Sequence, residues 1–546
     1  MEHLSHKRKM TIMFAIIVSM FFAAINQTIV GTALPRIIAT LGGIDYYTWV
    51  ITIFMLTSTI ATVLVGKLSD IYGRKPFILS GIVFFMIGAF LSGLSKDIFQ
   101  LIAFRGVQGI GAGIIMATAF TAIGDLFSPR ERGRWSGIMG AVFGLSSVVG
   151  PTLGGYVVDH LAWHWVFWLF LPLGIIAFVM IWLLFPSVER KEAVSIDYLG
   201  SLFLTLTIVP MLIAFSWAGT NYAWGSPQII GLFAFTAVSL ALFLFVETRA
   251  KSPVLPLSLF RNSIVTVSNT VGFMINAGMM GAIMYMPFLT QGVLGVSPTV
   301  SGYVTMPLMV GMMITSTLTG QLMTRTGKYK NYALIGIAVM VLGTVLMHFT
   351  HSIALAVTSM IVFGFGLGPG MSVFSLTVQN AVDPKDLGVA TASSQLFRNM
   401  GGTIGIAVMG TIMAAGIRSR LAEYAASGQA PDLSKVDPQT AETFREFLNP
   451  QILLDQPKLA AIQAGLPAEQ HRLFDQMVGM LRDALSHSLA QVFLTGTFVM
   501  IAALALAFFL KEIPLRTSNR SPKADAEPGA DGEGSHKEPA AGGAAG

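Results

Sequence analysis

The chain contains no cysteine among its 546 residues. That absence excludes disulfides, thiolate metal sites and cysteine nucleophiles together. Charge is the second shortage. Only 11% of the residues are Asp, Glu, Lys or Arg, against 53% hydrophobic, where a soluble domain carries about 25% charged residues. A folded surface in water stays richly charged, so most of this surface must face another medium. The hydrocarbon core of a bilayer, crossed by helices of about 20 apolar residues, supplies it. The chain also lacks a phosphate-cradling nucleotide loop, a His-Glu-x-x-His metal pair and a nucleophile elbow, which argues against a membrane-embedded enzyme. No cofactor or metal is expected. The net charge of +6 reads as basic residues retained on one side of a membrane, not as a nucleic-acid surface.

Fourteen apolar stretches of spanning length follow one another: 10–34, 47–68, 76–95, 99–123, 135–158, 163–185, 197–218, 227–247, 264–290, 299–323, 331–350, 353–378, 388–415 and 489–510. The first follows Lys7-Arg8-Lys9 but is too long for the apolar core of a signal peptide, and reads as a span. With the N-terminus inside, the inner segments hold Lys7, Arg8, Lys9, Lys67, Arg74, Lys75, Arg130, Arg132, Arg134, Arg190, Lys191, Arg249, Lys251, Arg261, Arg325, Lys328, Lys330 and Lys385. The short outer loops hold only Arg36 and Lys96. This asymmetry places both termini in the cytoplasm. Residues 416–488 mix charge with amphipathic stretches and read as an outer loop. Residues 511–546, rich in Pro, Gly, Ala and charge, read as a disordered inner tail.

One loop is repeated. Gly66-Lys-Leu-Ser-Asp-Ile-Tyr-Gly-Arg-Lys75 follows the second stretch, and Gly320-Gln-Leu-Met-Thr-Arg-Thr-Gly-Lys328 follows the tenth. Two glycines, a leucine and a basic position recur in register, while Asp70 becomes Thr324. The repeat predicts two six-helix halves, 1–190 and 256–510, with two inserted helices in 191–255, a common plan for secondary transporters. In the first copy Gly66 and Gly73 permit a tight turn. Asp70 can cap a helix N-terminus and attract an arginine such as Arg74.

Three further stretches carry chemistry. Arg105-Gly-Val-Gln108 puts a cation inside the fourth stretch, where charge is costly and normally meets a partner or a cavity; snorkelling to the outer interface is the alternative. Gly144, Gly150, Gly154 and Gly155, with Pro151, make a seam of small residues in the fifth stretch where helices can approach closely, and proline removes a backbone bond. Asn26 lies in the first stretch, in Asn26-Gln-Thr-Ile-Val-Gly-Thr-Ala-Leu-Pro35. None of the 28 acidic residues falls in the middle of a stretch. Methionines such as Met279, Met280, Met306 and Met309 suit either a promiscuous cavity or ordinary packing. Trp49, Trp163, Trp165 and Trp168 suit an interfacial belt.

With these motifs the chain resembles the major facilitator superfamily, in its 14-helix drug:proton antiporter branch, from about residue 10 to 510. Val378-Gln-Asn-Ala381 and Gln395-Leu-Phe-Arg-Asn-Met-Gly-Gly402 add weaker matches. The resemblance implies an all-α polytopic fold of two six-helix bundles plus two inserted helices. It implies a cytoplasmic gate at Gly66, Asp70, Gly73 and Arg74, and a transport or coupling site at Arg105, with Gln108 and Asn26. An antiporter motif would run through Gly144, Gly150, Pro151, Gly154 and Gly155. It also implies that the protein exports small amphiphilic compounds or drugs across the plasma membrane, with protons as the coupled partner. A carrier or flippase for one physiological substrate, such as a lipid or amino acid, would share every motif. The branch usually has Asp where this chain has Asn26. That departure predicts a neutral-to-positive cavity, favouring neutral or weakly acidic substrates over permanent cations.

Overall fold

The computed structural model describes residues 5–41, 46–186, 197–219, 222–250, 253–428, 453, 456–467 and 470–515, and they are helical almost throughout. In chain order the helices are α1 (His6–Leu41), α2 (Tyr47–Tyr72), α3 (Arg74–Gly93), α4 (Ile98–Leu126), α5 (Pro129–His160), α6 (Trp165–Trp168) and α7 (Leu171–Leu184). Then come α8 (Tyr198–Trp217), α9 (Pro227–Arg249), α10 (Ser263–Pro287), α11 (Pro298–Thr326), α12 (Lys330–His348), α13 (Ile353–Asn380) and α14 (Leu387–Ala426). The short α15 (Gln456–Gly465) and the long α16 (His471–Phe508) close the series.

Among the described residues thirteen helices, counting α6 and α7 as one, are long and apolar enough to cross a membrane. The remaining long helix, α11, has 29 residues. It is less apolar because it carries seven threonines and two serines. Several of these hydroxyls satisfy themselves on the preceding turn, as Thr315 does on the Gly311 carbonyl at 2.8 Å and Thr317 on that of Met313 at 2.9 Å. This is how polar side chains are tolerated in a buried span.

Helices α1 to α7 pack on one another, and α10 to α14 pack with α16. The two groups meet along α5–α11 and α2–α14. The inserted α8 and α9 pair with each other, and α8 leans on α2 and α14. An apolar cluster of Leu56 and Val63 from α2, Leu204 and Ile208 from α8, Phe243 from α9, and Leu387 and Val389 from α14 fills that corner. The inserted pair therefore covers a seam between the two groups.

The structure changes several sequence-stretch boundaries. The stretch 163–185 is two helices, because Pro172 near the start of α7 has no N–H to continue the preceding turn. The segment 416–488 is not a loop throughout. α14 continues to Ala426 and α16 starts at His471, tied together where Arg420 Nε donates to Asp483 Oδ2 at 2.9 Å. Residues 429–452 lie outside the described residues. So does the tail from 516 on, but its first part is held in place. Tyr329 N–H donates to Glu512 Oε1 at 3.1 Å, and the buried Tyr329 hydroxyl donates to the Lys511 carbonyl at 2.7 Å. Burial holds this phenol's pKa above its ordinary value.

Candidate functional site

The two repeated loops turn on glycines that only a residue without Cβ adopts freely, Gly73 at φ 89 and Gly327 at φ 70. One heptad earlier, Gly66 and Gly320 are points of close approach. A Cβ on Gly66 would meet Ala392 and the Gly388 backbone of α14, and one on Gly320 would meet the Gly133 backbone of α5. Both sides of the central interface are thus sealed by bare backbone at the end of the molecule that carries these basic turns.

Asp70 adds a polar lock. Its Oδ1 accepts the Gly388 N–H and its Oδ2 the Val389 N–H, each at 3.2 Å. These amides belong to the first turn of α14, whose own N-cap residue, Asp386, makes no side-chain cap. A carboxylate from the first half therefore caps a helix of the second. Arg74 pairs with Asp70 and, at 2.9 Å through Nε, with Asp125, and donates to Ser69 Oγ at 2.6 Å. The Arg74 and Asp70 side chains are only 5% and 8% exposed, so each needs the other.

The glycine motif of α5 divides its contacts. Gly144 lies against Met309 and Met313 of α11, while Gly150 lies against Thr28 and Ile29 of α1. Gly155 has no neighbour within 4 Å of an added Cβ, nor does Gly302 on α11. Gly154 is buried, and the helix runs on through Pro151, whose side chain is outside the described residues. Bonds between the halves follow the same gradient. Asn399 Nδ2 donates to Thr59 Oγ1 at 3.1 Å, and Gln379 Nε2 to the Phe120 carbonyl at 3.3 Å. With the Asp70 lock, these run from mid-helix to the basic end.

Arg105 does not snorkel. It is 1% exposed and lies inside the first half. Its Nη1 donates to Gln108 Oε1 at 2.8 Å, its Nε reaches the Val50 carbonyl at 3.4 Å, and its guanidinium sits 4.1 Å from the Phe54 ring centroid. Gln108 Nε2 then donates to Asn26 Oδ1 at 2.7 Å. The structure thus brings Asn26, Gln108 and Arg105 into one chain joining α1, α4 and α2. Asn26 Nδ2 is buried with no hydrogen-bond partner, so one donor of this chain is left unused.

A second enclosed arginine lies in the Gln395–Gly402 stretch, a sequence match to which no role was assigned. Arg398 of α14 is 6% exposed. Its Nη1 donates to Ser375 Oγ at 2.6 Å and its Nη2 to Gln395 Oε1 at 2.5 Å. Neither Arg105 nor Arg398 is in an ion pair with a carboxylate among the described residues. The available signal was a Gln395-x-x-Arg398 pair within one helical turn, the reverse order of Arg105-x-x-Gln108. The methionines divide: Met286 is buried, whereas Met284 and Met306 are exposed, and no single methionine-lined surface results.

Comparison with known proteins agrees with this geometry. The family model described as Major Facilitator Superfamily matches residues 16–406. The chain is 38% identical over 514 residues to the multidrug transporter protein MdtP of Bacillus subtilis, covering 92% of this chain and 93% of that one. It is 32% identical over 518 residues to multidrug resistance protein 3 of the same organism, covering 93% and 96%. Among solved structures, the human organic anion transporter MFSD10 (TETRAN) superposes with a TM-score of 0.58 over 90% of this chain and 99% of that chain, at 14% identity, a likeness of fold.

Proposed function

The chain belongs to the Major Facilitator Superfamily and is a multi-pass membrane transporter; on that premise we propose that it exports small amphiphilic compounds, drugs among them, by proton antiport with alternating access. The observation that carries the alternating-access part is the uneven seam. The halves are locked at the basic end by Asp70 on α14 and by Gly320 on Gly133, whereas a Cβ added at Gly155 or Gly302, toward the other end, would meet nothing within 4 Å. We place the basic end in the cytoplasm of a cell with both termini, from the asymmetry of Lys and Arg. The conformation is then closed to the cytoplasm and open outward. The relatives named as multidrug transporters support drug export.

The substrate preference follows from Asn26. An Asp there could hold a proton or attract a cation, whereas Asn cannot titrate and leaves Arg105 uncompensated. A permanent cation gains nothing from that surface, and like charges repel strongly at low dielectric. Neutral and weakly acidic amphiphiles are favoured. The experiment is efflux from cells lacking other pumps, with and without a proton gradient. Asn26→Asp raises export of an ethidium-like cation and lowers that of an acidic substrate. Strong cation efflux by the wild type, unchanged in the variant, defeats this preference; efflux indifferent to the proton gradient defeats antiport. For orientation, Ser427→Cys in this cysteine-free chain reacts with an impermeant maleimide on intact cells, and labelling only after lysis reverses the topology.

A further inference from the structure

Arg105 and Arg398 are both enclosed cations without an acid, but they face different things. Arg105 contacts Gln108 of α4 and Val50 and Phe54 of α2, and Gln108 carries the chain on to Asn26 of α1, all within its own half. Arg398 looks across the interface. Its guanidinium lies 6.0 Å from the ring of Phe120 on α4 of the opposite half. The next residue, Asn399, bonds to Thr59 of that half. Gln379, one turn along α13 from Ser375, reaches the Phe120 carbonyl from the same side, and its buried Oε1 has no partner. Asn276 Nδ2 donates to the Arg398 carbonyl at 2.5 Å, and its Oδ1 is also unpartnered.

Ser375 and Gln395 are neutral acceptors. They orient the guanidinium and leave its charge unneutralised. A cation buried in this way is expensive unless an anion joins it for part of the working cycle. Arg398 lies ten residues along α14 from Gly388, so about 15 Å from the Asp70 lock. It therefore sits in the middle of the interface, just beyond the contact that closes the basic end.

We propose that Arg398 is the anion-binding anchor of the transport site, receiving the carboxylate of an amphiphilic organic acid whose apolar body rests against Phe120. The proposal rests on the export reading and adds to it the residue and the charged group. Guanidinium presents a planar pair of donors to a carboxylate. The unpartnered oxygens of Gln379 and Asn276 accept from hydroxyl or amide groups on the same molecule. A small inorganic anion satisfies the same charge, and the test separates the two.

The full chain in lipid nanodiscs is titrated with 11-(dansylamino)undecanoic acid and with its methyl ester, read by dansyl fluorescence. The acid binds at least about tenfold more tightly than the ester, the size expected of one charge-assisted bidentate contact. In Arg398→Gln the two affinities converge at the ester's value. In Arg398→Lys, which keeps the charge and guards against a folding defect in the first variant, part of the preference survives. Equal affinities in the wild type, or an acid preference that persists in Arg398→Gln, overturn the anchor. So does displacement of the acid by chloride as readily as by a second carboxylate, because Arg398 then holds an inorganic ion. Efflux of the ester from proteoliposomes is followed separately: an ester that binds and does not cross refutes export, while the titrations still decide the anchor.

Discussion

The repeated loops make a natural pair to compare. In the first, α14 is capped in trans: Asp70 reaches from one half to the amides of Gly388 and Val389 in the other. In the second, the equivalent position is Thr324, which bonds back to its own Gly320 carbonyl at 2.9 Å. The helix facing it, α5, is capped in cis, with Glu131 Oε2 accepting the Ser128 N–H at 3.1 Å. Glycine contacts are kept on both sides and the carboxylate on one. Close backbone approach is therefore common to both seams, whereas charge-assisted locking belongs to the α2–α14 seam. An asymmetric lock can be tuned at one point without loosening the other seam.

Breaking the first loop has the largest effect. Arg74→Ala leaves the buried Asp70 and the partly exposed Asp125 without their shared cation, and a broken buried pair such as Arg74–Asp70 costs about 3–5 kcal/mol. The purified variant should melt well below the wild type, with Arg74→Lys recovering part of the loss; an unchanged melting temperature would mean that the pair holds nothing together. Asp70→Asn comes next. It keeps the shape and loses the charge on the cap, worth about 1–2 kcal/mol, so turnover should fall about tenfold in a protein that still inserts. Wild-type turnover would reduce the loop to a topology signal. The smallest change sharpens the comparison instead of breaking it. Thr324→Asp restores the carboxylate to the second loop, next to a helix end already capped by Glu131. A helix-terminus charge of about 0.3–1 kcal/mol should tighten the basic end and slow export about threefold, measured as efflux rate. Faster export would show that this seam is not part of the closed state.

Much of this was legible in the chain itself, for physical reasons that differ from residue to residue. The spans follow from hydropathy, and the family and its fold from the resemblance that the quoted motifs carry. The Asp70-to-Thr324 exchange is visible in register before any coordinates. The partner of Asp70 was not, because Gly388 lies 318 positions away and contributes only backbone amides, which carry no sequence signature. Arg105 stood out as a charge in an apolar run, but its enclosure by Phe54 and Gln108 depends on helix packing. Arg398 was in view as part of Gln395-Leu-Phe-Arg-Asn-Met-Gly-Gly402, eleven residues into α14, but the motif alone does not say which helices it faces. Only the approach of Phe120 from the other half shows where it points.

The clasp on the second loop has a consequence for how the molecule is made. Tyr329 is held by Glu512 and Lys511, 183 and 182 positions later. The ribosome adds about 5–20 residues per second, so the loop waits roughly 10–40 s for its partners. The first loop is fastened in two stages: Arg74 finds Asp125 within 51 positions, about 3–10 s at the same rate, while Asp70 waits for Gly388, 318 positions on. During biogenesis the first hairpin gains a local fastening early and its lock on the other half much later, and the second has its clasp only when synthesis is nearly complete. Chain termination before Lys511 would release a protein with every span in place and that fastening missing, a species for membrane quality control to recognise.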